Sequence, residues 1–208
     1  MINKSINFRY LHGNRLTRPI PPELGNTSKL SYLQLNDNQL SGTIPAEPGK
    51  LEHLFELNLA NNQLEGPIPH NISSCTALNQ FNVHGNQLSG SIPSSFRDLE
   101  ILNYPNNFKG RIPNELGRII NLNTLDLSDN NFSGAVPTSI GDLEHLLTLN
   151  LSRNHLYRPL PAKFGNLRSM QTMDISFNSL CSSIPAEMGQ LQNIMSLYKF
   201  IVLLFPYG

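Results

Sequence analysis

The sequence predicts a solenoid of stacked repeats, an α/β fold in which short parallel strands line the concave side and irregular or 3-10 turns form the convex side. Three observations support this prediction. An asparagine recurs from residue 14 to residue 178, in all intervals but one after 24 residues. A proline follows each of these asparagines after seven residues. Leucines two positions apart precede most of them, as expected for a strand that buries one side.

Each repeat is defined by its anchor, the asparagine of an N-x-L/F-x-x-x-Φ-P block in which Φ is apolar. The eight anchors are Asn14, Asn38, Asn62, Asn86, Asn106, Asn130, Asn154 and Asn178. The prolines that follow them are Pro21, Pro45, Pro69, Pro93, Pro113, Pro137, Pro161 and Pro185. Self-similarity at a fixed period of about 20–50 residues is typical of solenoids, so about eight 24-residue repeats are predicted.

The strand of each repeat is predicted just before the anchor. In the second copy, Leu33 and Leu35 are two positions apart, so an extended chain points both to one side and Gln34 to the other. A single short strand cannot bury its leucines alone, whereas parallel stacking joins them into one core. The anchor asparagine is expected to hydrogen-bond backbone groups of neighbouring turns. We expect a curved, right-handed array with about eight strands.

The turn after each anchor is predicted from glycine and proline. Glycine stands four residues after the anchor in five copies, which suits a tight turn with a positive φ. These residues are Gly42, Gly66, Gly90, Gly110 and Gly134. The apolar-proline pair then directs the chain into an extended path. Segments such as ELGNTSKL are expected to form a turn of irregular helix on the outer side.

Several copies depart from this pattern. Arg9 stands where the first strand should bury a leucine, and Pro48 replaces a leucine of the outer segment. Arg18 and Arg158 replace the turn glycine, and Ser182 replaces another. If the turn site has a positive φ, each of the two arginines is strained there by roughly 1 kcal/mol.

The fifth copy is shortened, because Asn106 follows Asn86 by 20 residues instead of 24. Counting back from the anchor places Asn103 at an inward position, and Pro105 removes a hydrogen-bond donor. The fifth strand is therefore expected to be missing or frayed.

The chain is predicted to consist of a repeat array and a short tail. The array spans 1–197, with the shortened repeat near 98–106 and no cysteine caps, and a non-repeat apolar tail spans 198–208. In this part of the chain Lys199 stands at an inward position and Val202 at the anchor position. The segment FIVLLF is expected either to cap the last turn or to lie loose.

Charge and hydropathy exclude several classes of function. The 15 Lys and Arg residues balance the 15 Asp and Glu residues. Without a basic field, no nucleic-acid partner is expected. The longest apolar run is far shorter than the ~20 residues that span a bilayer, and the N-terminus lacks the apolar region of a secretory signal. The chain as given is therefore expected to contain neither a membrane span nor a signal peptide.

The chemistry-bearing residues do not converge on one turn. Cys75 and Cys181 lie about four turns apart, near ~20 Å along the stack, so both are expected to be free thiols. His12 and His84 lie three turns apart, at ~14 Å, which is too far to share a metal ion. No Ser-His-Asp or Cys-His set falls on one turn. No catalytic residue, metal or cofactor is predicted, and the chain is not expected to be an enzyme.

The candidate functional residues point away from the leucines along the predicted strands, and we call them the strip. In the first half they are Tyr10, His12, Tyr32, Gln34, Asn36, Glu56, Asn58, Gln80, Asn82 and His84. The second half adds Thr124, Asp126, Ser128, Thr148, Asn150, Ser152, Thr172, Asp174 and Ser176. Solenoids bind partners on this surface, so the strip is predicted to bind a peptide, with its aromatic and imidazole groups toward the N-terminal end. For any single residue, the alternative is a solvated position that only completes the sheet.

Sequons for N-linked glycosylation occur at Asn3, Asn26, Asn71, Asn131 and Asn150. Asn26, Asn71 and Asn131 are the candidate glycosylation sites. A glycan on Asn150 would lie on the strip and would be incompatible with binding there.

The consensus L-x-x-L-x-L-x-x-N-x-L-x-G-x-I-P-x-x-L-G resembles the plant-specific class of leucine-rich repeats. Segments such as NISSCTALNQFNVHGN further resemble the ectodomain of the ERECTA family of plant receptor-like kinases, over roughly residues 8–197. The resemblance implies a cell-surface glycoprotein on the extracellular side of the plasma membrane. It also implies binding of a secreted cysteine-rich peptide, together with a leucine-rich repeat co-receptor, in developmental signalling.

Members of that family also carry a signal peptide, a cysteine-bearing cap, further repeats, a transmembrane helix and a Ser/Thr kinase domain. The chain contains no G-x-G-x-x-G, H-R-D or D-F-G kinase motif. The main prediction is therefore a non-catalytic fragment of such an ectodomain. A leucine-rich inhibitor of a secreted enzyme, and a degenerate copy without a binding function, are the alternatives.

Overall fold

The computed structural model describes residues 7–93, 101–103, 106–181 and 183–198. The expectations for Asn3, Pro105, Ser182 and the end of the tail, 199–208, lie outside these residues. Within them, each turn of the chain contributes one strand before the anchor, and most turns add a second strand and a 3-10 helix after it.

The strands before the anchors form one parallel sheet in which each strand pairs only with those of the preceding and following turns. Its nine strands are Phe8–Tyr10, Tyr32–Gln34, Glu56–Asn58, Gln80–Asn82, Ile101–Asn103, Thr124–Asp126, Thr148–Asn150, Thr172–Asp174 and Ser196–Tyr198. The predicted parallel solenoid is confirmed. The sheet has one strand more than the eight anchors imply, because Ser196–Tyr198 pairs with Thr172–Asp174.

The strands after the anchors form two further parallel sheets. The four-stranded sheet contains Thr17–Arg18, Gln39–Thr43, Gln63–Gly66 and Gln87–Leu88, and the three-stranded sheet contains Lys109–Gly110, Asn131–Gly134 and His155–Leu156. The two sheets meet at the shortened fifth repeat. There, the backbone N–H groups of Asn107 and Lys109 still donate to Leu88 and Gly90 of the preceding turn, at 3.0 and 3.2 Å.

The third side of the array consists of 3-10 helices. They are Pro22–Asn26, Glu47–Lys50, His70–Ser74, Asn114–Arg118, Thr138–Asp142, Ala162–Asn166 and Ala186–Gln190. Six of these seven begin directly after the repeat proline. The exception, Glu47–Lys50, begins after Ala46 and contains Pro48. Pro48 is buried, so it occupies the position of the missing leucine, as the repeat pattern predicts.

The core is continuous along the array and consists of the inward leucines and their equivalents. Register places Leu33 beside Leu57, and Leu57 beside Phe81, on successive strands. All three are at most 1% exposed. Burying a side chain of this size contributes about 1.5–3 kcal/mol, and stacking supplies that burial only when neighbouring turns are present.

The anchor asparagines link successive turns through their side-chain amides. In the sixth turn, the Asn130 Oδ1 accepts a hydrogen bond from the backbone N–H of Phe108 in the preceding turn at 2.9 Å. Its Nδ2 donates to the carbonyls of Leu127 and Ser128 in its own turn, at 3.1 and 2.9 Å. The predicted bonding between turns is confirmed, and the same pattern is present at Asn38, Asn62, Asn86, Asn154 and Asn178.

The turn glycines adopt the predicted positive φ, between 73° and 90°. Arg18 and Arg158, which replace glycine there, have φ values of 77° and 88°. A left-handed conformation costs an L-residue about 1 kcal/mol, so the predicted strain is confirmed. A second left-handed site lies directly before the anchor, where Asp37, Asn61, Asp129, Arg153 and Phe177 have φ values between 49° and 55°. The sequence reasoning missed this site because four residue types other than glycine share it with Gly13 and Gly85.

The prediction of a missing or frayed fifth strand is wrong. Ile101–Asn103 is a three-residue strand that pairs in parallel with both of its neighbours. Leu102 stands in register with Phe81 and Leu125, so Leu102 has the inward register position that the anchor count gave to Asn103. Strand pairing uses backbone groups, which a non-consensus side chain does not remove.

The register shows where the four missing residues of the fifth repeat are lost. Leu102 lies four residues before its anchor Asn106, whereas Phe81 lies five before Asn86. One residue is therefore missing between strand and anchor, and three are missing between Pro93 and the strand. Both losses fall in connections, which explains why the strand itself keeps its length.

Candidate functional site

The ten strip residues of the first half lie on the solvent side of the nine-stranded sheet. Tyr10, His12 and His84 are exposed. The other seven are half-buried, namely Tyr32, Gln34, Asn36, Glu56, Asn58, Gln80 and Asn82. The opposite side of the same strands is buried in the leucine core, so these side chains form the accessible face of the sheet.

In the second half of the strip, fewer of the predicted residues are accessible to solvent than expected. Ser128, Ser152 and Ser176 are at most 6% exposed, so their placement on the exposed row is wrong. The strand alternation stops before each of them. In the sixth turn the Asp126 Oδ1 accepts a hydrogen bond from the backbone N–H of Ser128 at 2.9 Å, and the equivalent bond is present in the next two turns. The same bond precedes the exposed His84, so it does not by itself cause burial. The residues buried at this position are small, namely the three serines and Ala60.

Aromatic rings form a cluster at the N-terminal end of the strip, and we call Phe8, Tyr10, Tyr32 and Phe55 the aromatic cluster. The ring of Phe8 stacks on that of Tyr32, with a centroid distance of 5.2 Å and an interplanar angle of 25°. The ring centroids of Phe8 and Tyr10 are 6.1 Å apart, and those of Tyr32 and Phe55 are 5.6 Å apart. Offset ring pairs of this kind contribute about 0.5–1.5 kcal/mol beyond area burial.

Two members of this cluster were missed by the sequence reasoning. Phe8 lies six residues before its anchor, as Tyr32 does, so the repeat pattern contained the signal that places it on the strip. Phe55 precedes its strand, and its contact with Tyr32 depends on side-chain packing that the alternation does not predict.

Polar side chains continue the strip from the aromatic cluster. The Gln34 Nε2 donates to the Glu56 Oε1 on the next strand at 2.8 Å. Asn58 and Asn82 accept hydrogen bonds from backbone N–H groups two residues on, at 3.2 and 3.1 Å. These bonds fix the orientation of the side chains, so the strip presents a largely pre-organised polar surface.

A second exposed row runs beside the strip, at the left-handed site before each anchor. The Asn61 Nδ2 donates to the Asp37 Oδ1 at 2.8 Å, and the Asn36 Nδ2 donates to its Oδ2 at 2.6 Å. These two hydrogen bonds lower the pKa of Asp37; burial opposes them, and the nearby His12 adds the weakest lowering effect.

In the second half of the array the same row carries an ion pair and a cation–π contact. The Nε of Arg153 lies 3.7 Å from the Oδ1 of Asp129. The guanidinium carbon of Arg153 lies 4.8 Å from the centre of the Phe177 ring. The row therefore differs in chemistry between the two halves, with amides and a carboxylate first and an arginine and an aromatic ring later.

The candidate glycosylation sites Asn26, Asn71 and Asn131 are exposed. Asn150 differs from them, because it is half-buried and its Oδ1 accepts hydrogen bonds from both the backbone N–H and the hydroxyl of Ser152, at 3.1 and 2.8 Å. Use of these sites stays a prediction.

Both cysteines are free thiols, as predicted. Cys75 is buried, and its thiol donates to the carbonyl of Pro48 at 3.1 Å. Burial raises the pKa of the Cys75 thiol to about 11. Cys181 is exposed. Across the described ranges, no three His, Cys, Asp or Glu side chains are grouped as metal ligands would be, and none of the short helices could cross a membrane.

Comparison with known families accounts for this repeat geometry. One leucine-rich repeat family model matches residues 120–180, and a second matches residues 29–51, 53–75 and 77–99. Together the matched residues make up more than half of the chain. The chain is a leucine-rich repeat protein. No curated protein sequence matches this leucine-rich repeat protein significantly.

Solved structures of plant receptors are similar to this leucine-rich repeat array. The PEPR1–AtPEP1 complex is 36% identical, with a TM-score of 0.91 over 95% of the chain. The plant peptide hormone receptor RGFR1, in complex with RGF2, is 35% identical, with a TM-score of 0.92 over 95% of the chain. The Arabidopsis receptor kinase HAESA, in complex with the peptide hormone IDA and the co-receptor SERK1, is 32% identical, with a TM-score of 0.90 over 94%.

The leucine-rich repeat protein spans only about a third of the receptor chains that it matches, between 28% and 34% of their lengths in these three structures. The matches place it among receptor-like leucine-rich repeat proteins. An array of this kind is a binding module and not a catalytic one.

Proposed function

We propose that this leucine-rich repeat array binds an extended segment of a secreted peptide across the strip, as part of a plant receptor ectodomain. The observation that carries the proposal is the aromatic cluster, in which Phe8 and Tyr10 are exposed. It adjoins hydrogen-bonded polar side chains on one face of a sheet whose other face is buried.

The aromatic cluster supplies the apolar part of the proposed contact. Phe8 and Tyr10 are 51% and 55% exposed although they stack on one another. Covering them removes apolar area from water at about 25 cal/mol per Å². Aromatic side chains of this kind are frequent hot spots in protein interfaces.

The polar part of the strip supplies direction and register. Asn58 and Asn82 use their side-chain oxygens to accept backbone hydrogen bonds. Among the residues that the structure describes, nothing bonds to the N–H groups of these two amides. They are therefore free to donate to carbonyl groups of an extended ligand, while the Gln34–Glu56 pair holds the adjacent strands' side chains in place.

The proposed ligand class follows from the family resemblance and from the matched receptors. The resemblance to the ERECTA family favours a secreted cysteine-rich peptide, bound together with a leucine-rich repeat co-receptor on the extracellular side of the plasma membrane. The matched receptor RGFR1 is in complex with RGF2, and HAESA is in complex with the peptide hormone IDA and the co-receptor SERK1. These complexes support the general class of ligand.

Calorimetric titration with an oxidised cysteine-rich peptide of the ERECTA-ligand type tests the proposal. Tyr32→Ala should weaken binding by about tenfold or more, as truncation of an aromatic hot spot does. Thr172→Ala is the matched control, because Thr172 has the same position in its repeat and is also half-buried. Thermal melting of both variants shows whether the fold is intact. Absence of binding to the wild-type array, or equal losses in the two variants, would refute the proposal.

A further inference from the structure

A second candidate binding surface lies away from the strip, beside the three-stranded sheet. It is a groove formed by three successive turns, and its lining includes Arg111, Gly134, Pro137, Tyr157 and Arg158. The strip residues do not contribute to it. The groove is therefore a surface separate from the strip.

The floor of the groove is glycine, and Arg111 lies across it. A Cβ atom placed on Gly134 would stand 3.3 Å from the Cγ and 3.6 Å from the Nε of Arg111. The side chain of Arg111 therefore runs along the bare backbone of the next turn. A side chain at position 134 would displace it from this path.

The opposite wall of the groove is Arg158, which occupies the repeat position of Gly134 in the following turn. Arg158 has a φ of 88°, in the left-handed region that disfavours an L-residue. Its side chain is exposed, so core packing does not compensate for this strain. A non-glycine residue held at such a φ is an observation that favours a functional role for its side chain.

Neither arginine of the groove has an ion-pair partner in the described part of the chain. The two ion pairs found there join Arg153 to Asp129 and Lys163 to Asp142. Arg111 and Arg158 are both exposed, and Tyr157 between them is 46% exposed. The groove thus combines two available guanidinium groups with an aromatic surface.

We propose that this groove binds an acidic segment of a partner protein, with Arg111 and Arg158 pairing with two of its carboxylates and Tyr157 packing against its backbone. Arginine matches the planar carboxylate through two parallel hydrogen bonds. The arginines lie two turns apart, so their backbones are about 10 Å apart. An extended peptide with acidic residues at alternate positions presents carboxylates about 7 Å apart on one side, within reach of both side chains.

A fluorescent octapeptide in which glutamate and glycine alternate is the probe for this groove, and the same peptide with glutamine in place of glutamate is its neutral control. Anisotropy is measured at about 0.15 M salt, where long-range attraction between exposed charges is largely screened. The glutamate peptide should bind the wild-type protein at least about tenfold more tightly than the glutamine peptide.

Three variants separate the groove from general charge. Arg111→Gln and Arg158→Gly should each weaken binding of the glutamate peptide by about fivefold or more. Arg15→Gln removes the same charge at an exposed residue outside the groove and should change it less than about twofold. Arg158→Gly also removes backbone strain, so it should melt at a higher temperature while it binds less peptide. If Arg158 instead stabilises the fold, Arg158→Gly should melt at a lower temperature than the wild-type protein.

Other results would overturn the proposal. If the glutamine peptide binds as well as the glutamate peptide, no carboxylate is recognised. If Arg15→Gln causes the same loss as Arg158→Gly, the attraction is non-specific. Sulfate is compared with chloride at equal ionic strength, in the wild-type protein and in Arg15→Gln. If sulfate alone displaces the peptide from both proteins, the groove is an inorganic anion site instead. These outcomes are independent of the strip, so failure here leaves the proposed peptide binding there intact.

Discussion

The side-chain oxygen of Asn62 accepts a hydrogen bond from the backbone N–H of Leu40 at 3.0 Å, although the two residues belong to successive turns. The amide nitrogen of the same side chain donates to the carbonyl of Leu35 in the preceding turn, also at 3.0 Å. One asparagine therefore satisfies two backbone groups that the bend leaves without strand partners. Buried backbone groups without such partners would destabilise the fold.

Asn62→Ala should lower the free energy of unfolding by about 1–3 kcal/mol, because it leaves the N–H of Leu40 without a partner inside the protein. The carbonyl of Leu35 keeps its hydrogen bond from the side chain of Asn38. Urea denaturation monitored by circular dichroism measures this change. Asn107→Ala is the control, since Asn107 is exposed and its side chain makes no hydrogen bond with a described residue. A loss below about 0.5 kcal/mol at position 62, the size expected for surface substitutions, would contradict the anchoring role.

Arg18→Gly and Arg158→Gly should each stabilise the protein by a few tenths to about 1 kcal/mol, because glycine removes the strain of a positive φ. The added freedom of glycine in the unfolded chain opposes this gain and keeps it small. Arg15→Gly is the matched control, because Arg15 is exposed and does not have a positive φ. There, glycine should be neutral or destabilising. Stabilisation of similar size at all three positions would show that loss of charge, and not of strain, is responsible.

Alkylation should distinguish the two thiols. At pH 8, iodoacetamide should modify Cys181 rapidly and Cys75 only after unfolding, because Cys75 is buried and its pKa is raised to about 11. Mass spectrometry of peptides from native and urea-treated protein measures the extent of modification at each site. Cys181→Ser provides a protein in which native labelling should disappear. Similar native rates at the two sites would mean that Cys75 is accessible in the folded state.

The acid titration of Asp37 should depend on Asn61. Hydrogen bonds from Asn61 and Asn36 hold the pKa of Asp37 below its usual value of 3.8. The ionised carboxylate therefore stabilises the fold above pH 3.8, and this contribution is lost as the pH falls below that value. Asn61→Gly removes one of these hydrogen bonds while glycine keeps the positive φ, so the pKa of Asp37 should rise.

Carbon-detected NMR of the Asp37 carboxyl group measures this pKa as the pH is lowered. Asn107→Ala serves again as the control, because it removes an exposed amide that does not contact Asp37. An unchanged pKa in Asn61→Gly would show that the contact between the two side chains is not maintained in solution.

The features that the sequence predicted are those fixed by spacing alone. Leu33 and Leu35 had to share a face, and the anchors had to recur at the bend, because any other arrangement leaves apolar side chains or backbone groups exposed or unpaired. The free state of Cys75 and Cys181 followed from the distance between their turns. These conclusions needed no knowledge of side-chain packing.

The features that the sequence did not predict depend on how local irregularities are accommodated. The fifth strand could not be placed by counting, because a loss of four residues can be divided between two connections in several ways. The strand alternation ends at Asp126, so it could not show that the small Ser128 is buried where the larger His84 of another turn is exposed. The aromatic cluster was predicted only in part, because the contact between the rings of Phe55 and Tyr32 joins neighbouring turns and depends on side-chain packing.

The hydrogen bonds made by the anchor asparagines give the array a direction. Each anchor bonds to the turn that precedes it, so a turn is completed by its successor: Asn178 supplies the partners for the N–H of Leu156 and the carbonyl of Leu151. Removing the last anchored turn would leave the N–H of Leu156 without this partner, whereas the carbonyl of Leu151 would keep its hydrogen bond from Asn154. Removing the first would free the side-chain oxygen of Asn38 and the backbone N–H groups of Ser31, Tyr32 and Gln39. A cut at either end therefore leaves hydrogen-bonding groups unpaired, but they differ in kind: backbone donors and an amide oxygen at the amino-terminal side, and the N–H of the fully buried Leu156 at the other.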